Sequence, residues 1–154
     1  KYITEAGAIV TAAKALTHQT GGGTVYAGVP YTFLYEFSEQ LMKNNKESIT
    51  SGRYQIKTMS VTYAETGYFD VKVVPHKNLP ASGRNEYTRT FTGRVIGSGT
   101  NTLGSVPLDT GTYRFGVLAN AKNAKITLES DSHLPCAFQS AEIESEFVLR
   151  SRRM

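Results

Sequence analysis

Tyr31, Phe33, Tyr35 and Phe37 occupy every second position, separated by Thr32, Leu34 and Glu36. No other feature constrains the fold as much. Successive side chains of a β-strand leave opposite faces of a sheet, so a period of two gathers all four rings on one face. Pro30 stands at the start of this run, where a strand tolerates proline.

The alternation returns along the chain. Met59, Val61 and Tyr63 alternate within Tyr54 to Tyr63, and Phe69, Val71 and Val73 oppose Asp70 and Lys72 within Tyr68 to Val74. The turn from Ala64 to Gly67 between these two strands predicts a hairpin. From Glu86 to Ile96, Tyr87, Arg89 and Phe91 oppose Thr88, Thr90 and Thr92. Tyr113, Phe115 and Val117 mark a fifth strand, and Ile126 and Leu128 a sixth. In the last, Cys136 to Leu149, Ala141, Ile143, Phe147 and Leu149 alternate with Glu142, Glu144 and Glu146. Polar or glycine-rich connections separate them: Lys43 to Gly52, Pro75 to Asn85, Gly97 to Gly111, and Asn120 to Asn123. About seven strands at intervals of roughly ten residues predict an all-β fold, an antiparallel β-sandwich or open barrel.

That domain is expected over residues 29–154. Residues 1–28 are rich in Ala, Thr and Gly. Ala6 to Leu16 has the composition of a short helix, and Gly21-Gly22-Gly23 ends any regular element. An extended or loosely held N-terminal arm is the expectation. The chain opens on Lys1, with no basic-then-apolar leader after it, so Lys1 reads as an internal residue of a longer protein.

With 154 residues, the chain can bury a core without staples. Its one cysteine, Cys136, excludes an internal disulfide framework and a thiolate zinc site. No run of about 18 apolar residues predicts a membrane span. The net charge of +4 permits contact with nucleic acid without demanding it. Part of that charge sits at the end of the chain, in Arg150, Arg152 and Arg153.

Motifs for catalysis do not emerge. His18, His76 and His133 are scattered, away from ligand spacing with another His, Cys or carboxylate. Gly21-Gly22-Gly23 and Gly97-Ser98-Gly99 lack the Lys-Ser or Lys-Thr of a phosphate loop. Ser38, Ser98 and Ser140 lack the nucleophile elbow, and Cys136 has no visible activating partner. Neither a cofactor nor a metal is expected, and the chain reads as a non-enzyme. The rings from Tyr31 to Phe37 suit a stacking platform for bases or sugars, but ordinary core is preferred because few basic residues lie between them.

Several motifs in order carry a resemblance. They are Pro30-Tyr31-Thr32-Phe33 to Tyr35-Glu36-Phe37-Ser38; Gly52-Arg53-Tyr54-Gln55-Ile56-Lys57; Tyr63 with Thr66-Gly67-Tyr68-Phe69; and Gly93-Arg94-Val95-Ile96-Gly97-Ser98. Thr110-Gly111-Thr112-Tyr113-Arg114-Phe115 with Val117, Asn120 and Ala121 follows, then Ile126 to Asp131 with Pro135, and finally Arg150-Ser151-Arg152-Arg153. Together they resemble the C-terminal portion of podophage tail nozzle proteins, the tail tubular protein B family, from about Val29 to the end. The stretch near Cys136 departs from the family by lacking a tryptophan-glycine segment.

The resemblance implies a structural virion protein, made in the host cytoplasm. It would form a hexameric ring in the tail tube, below the portal and its adaptor ring. Tail fibres or spikes would attach near that junction. The tube would retain DNA and release it at infection, with only non-specific contact to the packaged DNA. Closed rings bring two different patches together, and Glu142, Glu144 and Glu146 with Arg150, Arg152 and Arg153 are the candidate pair. The arginines facing DNA is the other option. The alternative function is a carbohydrate- or receptor-binding β-sandwich of a tail fibre or spike, and a cell-wall glycan hydrolase is a third.

Overall fold

The computed structural model describes residues 2–3, 9–10, 26–27, 29–43, 47–49, 52–94 and 106–149. Seven strands build the main body: β4 (Phe33–Glu36), β7 (Arg53–Thr66), β8 (Tyr68–Val74), β9 (Tyr87–Thr92), β10 (Asp109–Asn120), β11 (Lys125–Ser130) and β12 (Ala137–Val148). They correspond one for one to the seven alternating runs in the sequence. Five shorter strands lie outside it: β1 (Tyr2–Ile3), β2 (Ile9–Val10), β3 (Tyr26–Ala27), β5 (Met42–Lys43) and β6 (Ser48–Ile49).

Two antiparallel sheets hold the seven strands, one ordered β10-β7-β12 and the other β4-β11-β8-β9. Their inner faces share one core: Ile56, Met59, Val61 and Tyr63 from β7, Phe69, Val71 and Val73 from β8, Phe91 from β9, Phe115 and Val117 from β10, and Ile126 and Leu128 from β11. Ring contacts tie the sheets across this core. Phe69 is wholly buried and lies 5.6 Å from Tyr113 and 5.1 Å from Phe138, centroid to centroid. The architecture is therefore a β-sandwich, with mostly apolar positions inward and mostly polar ones outward.

Three readings of the sequence change. β7 and β8 are not a hairpin. The chain crosses from one sheet to the other at Gly67, and β7 pairs with β10 and β12 while β8 pairs with β9 and β11. Glu65, with φ of 45°, bends the strand just before the crossing. Gly67 is required by close packing, because a Cβ there would stand 2.9 Å from the Leu134 side chain. Gly93 abuts the same corner: its N–H donates to the Gly67 carbonyl, and a Cβ would overlap the Pro107 carbonyl.

Second, the polar stretch from Lys43 to Gly52 is not wholly loop, since β5 and β6 pair as a two-stranded ribbon. Third, Ile9–Val10, inside the stretch considered for a short helix, pairs as strand β2 with β1. The other residues from Ala6 to Leu16 lie outside the described residues, as do Val95 and Ile96.

Candidate functional site

A sandwich of open sheets has two lateral edges, where the outer strands leave backbone groups unpaired. Here β9 stands over β10 on one side and β4 over β12 on the other. The two edges are built differently.

At the β9/β10 edge the sheets meet through their side chains. Phe91 packs 5.7 Å from Tyr113, and Tyr113 packs 6.3 Å from Phe115. The Tyr87 hydroxyl crosses the gap and donates to the Gly116 carbonyl. Arg89 lies over the Tyr87 ring at 5.9 Å. β10 bulges between Gly116 and Ala119, and Leu118 in this bulge has a φ of 50° and is 74% exposed.

At the β4/β12 edge the sheets gape. A groove of about 330 Å³ runs between them, lined by Phe33, Tyr35, Phe37, Val61, Leu128 and Phe138, with Gln139, Ser140 and Ala141 along its rim. Phe33 and Phe138 touch across it at 5.5 Å. The strand starting near Tyr31 thus keeps its period of two, but its rings are not all interior: Tyr31 and Tyr35 are exposed, and Phe33 and Phe37 half-buried. β4 has only four residues and lies at the sheet margin, so its inner face is covered on one side only. Tyr31 anchors the end of the groove by donating to the Leu134 carbonyl at 3.0 Å and accepting from the Cys136 N–H at 3.1 Å. Burial, and then contact with the Cys136 thiol, push its phenol up to about 12.

The acidic stripe of β12 falls on the outer face of its sheet. Ala141, Ile143 and Phe147 are paired with Val61, Met59 and Tyr54, whereas Glu142, Glu144 and Glu146 are opposite Ser60, Thr58 and Gln55. Two of the three glutamates are engaged within the chain. Arg114 on β10 reaches across β7 to Glu144 at 2.6 Å, and the Thr58 hydroxyl donates to the same carboxylate oxygen at 2.6 Å. The Thr58 hydroxyl, and then Arg114, hold the Glu144 carboxyl below its ordinary value. Glu146 pairs with Lys57 at 3.0 Å. Glu142 is exposed, and no ion pair reaches it among the described residues. Arg150, Arg152 and Arg153 lie outside the described residues.

The outer face of the other sheet carries a shallow depression of about 410 Å³. Lys72, Lys77, Arg84 and Lys125 alternate there with Glu36, Glu86 and Glu129. Lys125 pairs with Glu36 at 2.8 Å. Interspersed signs make this a solvated face, not an anion cradle. Among the described residues no three His, Cys, Asp or Glu side chains converge as a metal site, and no helix is long and apolar enough to cross a membrane.

The described residues thus form a sandwich with two unlike edges, one closed and one open. Comparison with known proteins shows the family. Residues 3–154 match the family described as bacteriophage nozzle protein. The chain belongs to the phage nozzle family. It is also 31% identical over 135 residues to the tail tubular protein gp12 of Escherichia phage T7. That alignment covers 84% of this chain and 16% of the T7 protein, so the chain spans a small part of its relative's length.

Two of the motifs by which the sequence resembles the nozzle family meet at one structural joint. Thr66-Gly67-Tyr68-Phe69 makes the crossing between sheets, and Gly93 closes against it. Sequence reasoning placed the glutamates on one face but missed Lys57 and Arg114, their partners in the chain. Arg114 sits between two inward rings, Tyr113 and Phe115, which marks it as outward. Only the register of β10 on β7 and of β12 on β7 brings it to Glu144. The groove also escaped, because it depends on which strands end up at the margins.

Proposed function

We propose that this chain is a wall segment of the tail tube of a short-tailed phage, located in the virion tail and acting mechanically. The observation that carries this reading is membership of the nozzle family across residues 3–154. The fold supports it physically. Two sheets cross-braced by buried rings resist shear, as a conduit wall must. Among the described residues the outer faces carry mixed charge and present no continuous basic track to a passing DNA phosphate backbone.

In this reading full-length copies close into a ring, six being the expected number, which joins the tail adaptor ring and lies near the attachment of fibres or spikes. The ring holds the packaged DNA and releases it at infection. No reaction is catalysed by this segment. Neighbouring copies meet through unlike patches. Glu142 is the member of the acidic stripe left for a basic group of the next copy, Arg150, Arg152 and Arg153 being the candidates. Glu144 and Glu146 contribute to the same acidic surface while holding Arg114 and Lys57.

The test is the mass and symmetry of the recombinant full-length subunit, by native mass spectrometry with electron microscopy. A closed ring of six copies around a channel is expected. A stable monomer that binds glycan, or a trimer of the kind found at fibre tips, would replace this reading with a recognition role.

A further inference from the structure

We infer that adjacent copies meet edge to edge, with the β9/β10 edge of one against the β4/β12 edge of the next, and Leu118 of the first seated in the aromatic groove of the second. The inference rests on the ring assembly proposed above and specifies its contact.

Leu118 is the first observation. It holds a left-handed backbone, φ 50°, which is costly for a residue with a Cβ, and it is 74% exposed. The left-handed residue belongs to the bulge between Gly116 and Ala119, and that bulge turns the Leu118 side chain out to solvent. A bulge at a sheet margin re-aims a side chain, and this one presents an apolar side chain to whatever lies beside the edge. The second observation is the groove of about 330 Å³, walled by Phe33, Tyr35, Phe37 and Phe138, which has room for a leucine side chain and a neighbour.

Position selects the occupant. β10 and β12 flank β7 on opposite sides, so projection and groove sit on opposite edges of one sheet. Repeating that arrangement head to tail brings each projection to the next groove, the heterologous contact from which rings are made. Charge points the same way. β4 and β12 carry Glu36, Glu142, Glu144 and Glu146 and no Lys or Arg. β9 and β10 carry Arg89 and Arg114 against one acid, Asp109. Glu36, Glu144, Glu146 and Arg114 are already paired within the subunit, which leaves Glu142 on the β4/β12 edge and Arg89 on the β9/β10 edge for a neighbour, and a head-to-tail pair brings these opposite charges to one seam.

The experiment places one cysteine on each side of the contact, Leu118→Cys and Ser140→Cys, in the full-length subunit with its other cysteines, Cys136 included, replaced by serine. Ser140 lines the groove. Within one copy the two positions are separated by the whole of β7 and by the stretch from Ile56 to Thr62 along it. That is roughly 20 Å, far beyond disulfide reach. Oxidation of the assembled protein should give a ladder of covalent dimers and higher species that neither single variant gives. A ring seen by electron microscopy without the ladder overturns this contact and leaves the ring reading intact. A protein that does not self-associate overturns both. Leu118→Gly separates folding from docking, because glycine accepts the left-handed backbone: the melting temperature should hold or rise while the subunit dissociation constant rises at least tenfold. Unchanged assembly in that variant also overturns the contact.

Discussion

The β9/β10 edge and the β4/β12 edge come from the same pair of sheets, with similar aromatic content, yet one is shut and the other gapes. At the first, Phe91 is 6% exposed, Tyr113 fills the space beneath it, and Tyr87 bonds across to Gly116. At the second, Tyr35 is 51% exposed beside a groove that the described residues leave open. The difference lies in strand length and partner. β9 pairs with β8 over six residues and lies against the long β10, whereas β4 contributes four residues and pairs with β11 at its end of the sheet. Aromatic alternation fixes which way rings point. It does not fix whether anything lies opposite them.

Truncating matched rings at the two edges tests this most sharply. Phe91→Ala should cost about 3–5 kcal/mol of folding stability, as expected for a buried ring. Tyr35→Ala should cost under about 1 kcal/mol, since half of that ring already faces water. Chemical denaturation of the two variants measures the difference, and equal losses would break the comparison. Tyr87→Phe removes the hydroxyl that bridges the closed edge and should cost about 1 kcal/mol. An unchanged denaturation midpoint would mean that packing alone closes it.

Most of the fold was legible in the sequence. Each of the seven main strands coincides with an alternating run, because a half-buried strand writes its two faces into its residues. The pairing was not legible. Tyr54 to Tyr63 and Tyr68 to Val74 look like a hairpin, since a short turn joins two apolar strands. Gly67 instead lets the chain step between sheets, and the reason is the packing of Leu134 and the Pro135 carbonyl against it, which come from a distant loop. The candidate site was half legible for the same reason. The stripe of Glu142, Glu144 and Glu146 follows from alternation, but its engagement with Arg114 and Lys57 needs three strands in register.

Smaller effects sharpen the picture of the acidic edge. Glu142→Lys leaves the subunit's folding intact and should weaken ring assembly a few-fold at low salt, as exposed pairs do, with the effect fading as salt is raised. Sedimentation at two ionic strengths reads this, and a salt-independent loss would point to packing instead. The smallest effect concerns Glu144. Its carboxyl is held below the ordinary value of 4.5, so it contributes stability at pH above that value and loses it as pH falls through the lower folded value. Thermal melts from pH 6 downward should show an acid-side loss that Arg114→Gln reduces only slightly, because Thr58 is the larger cause.

The central claim is that this sandwich is a repeated element of a tube wall. A map of the parent particle's tail, at a resolution that traces strands, tests it directly. The account predicts the sandwich repeated around the tail axis in a closed ring, with the β4/β12 edge of each copy beside the β9/β10 edge of the next. Finding the sandwich off the axis, at a fibre tip with its aromatic groove open to solvent or filled by glycan, would contradict it.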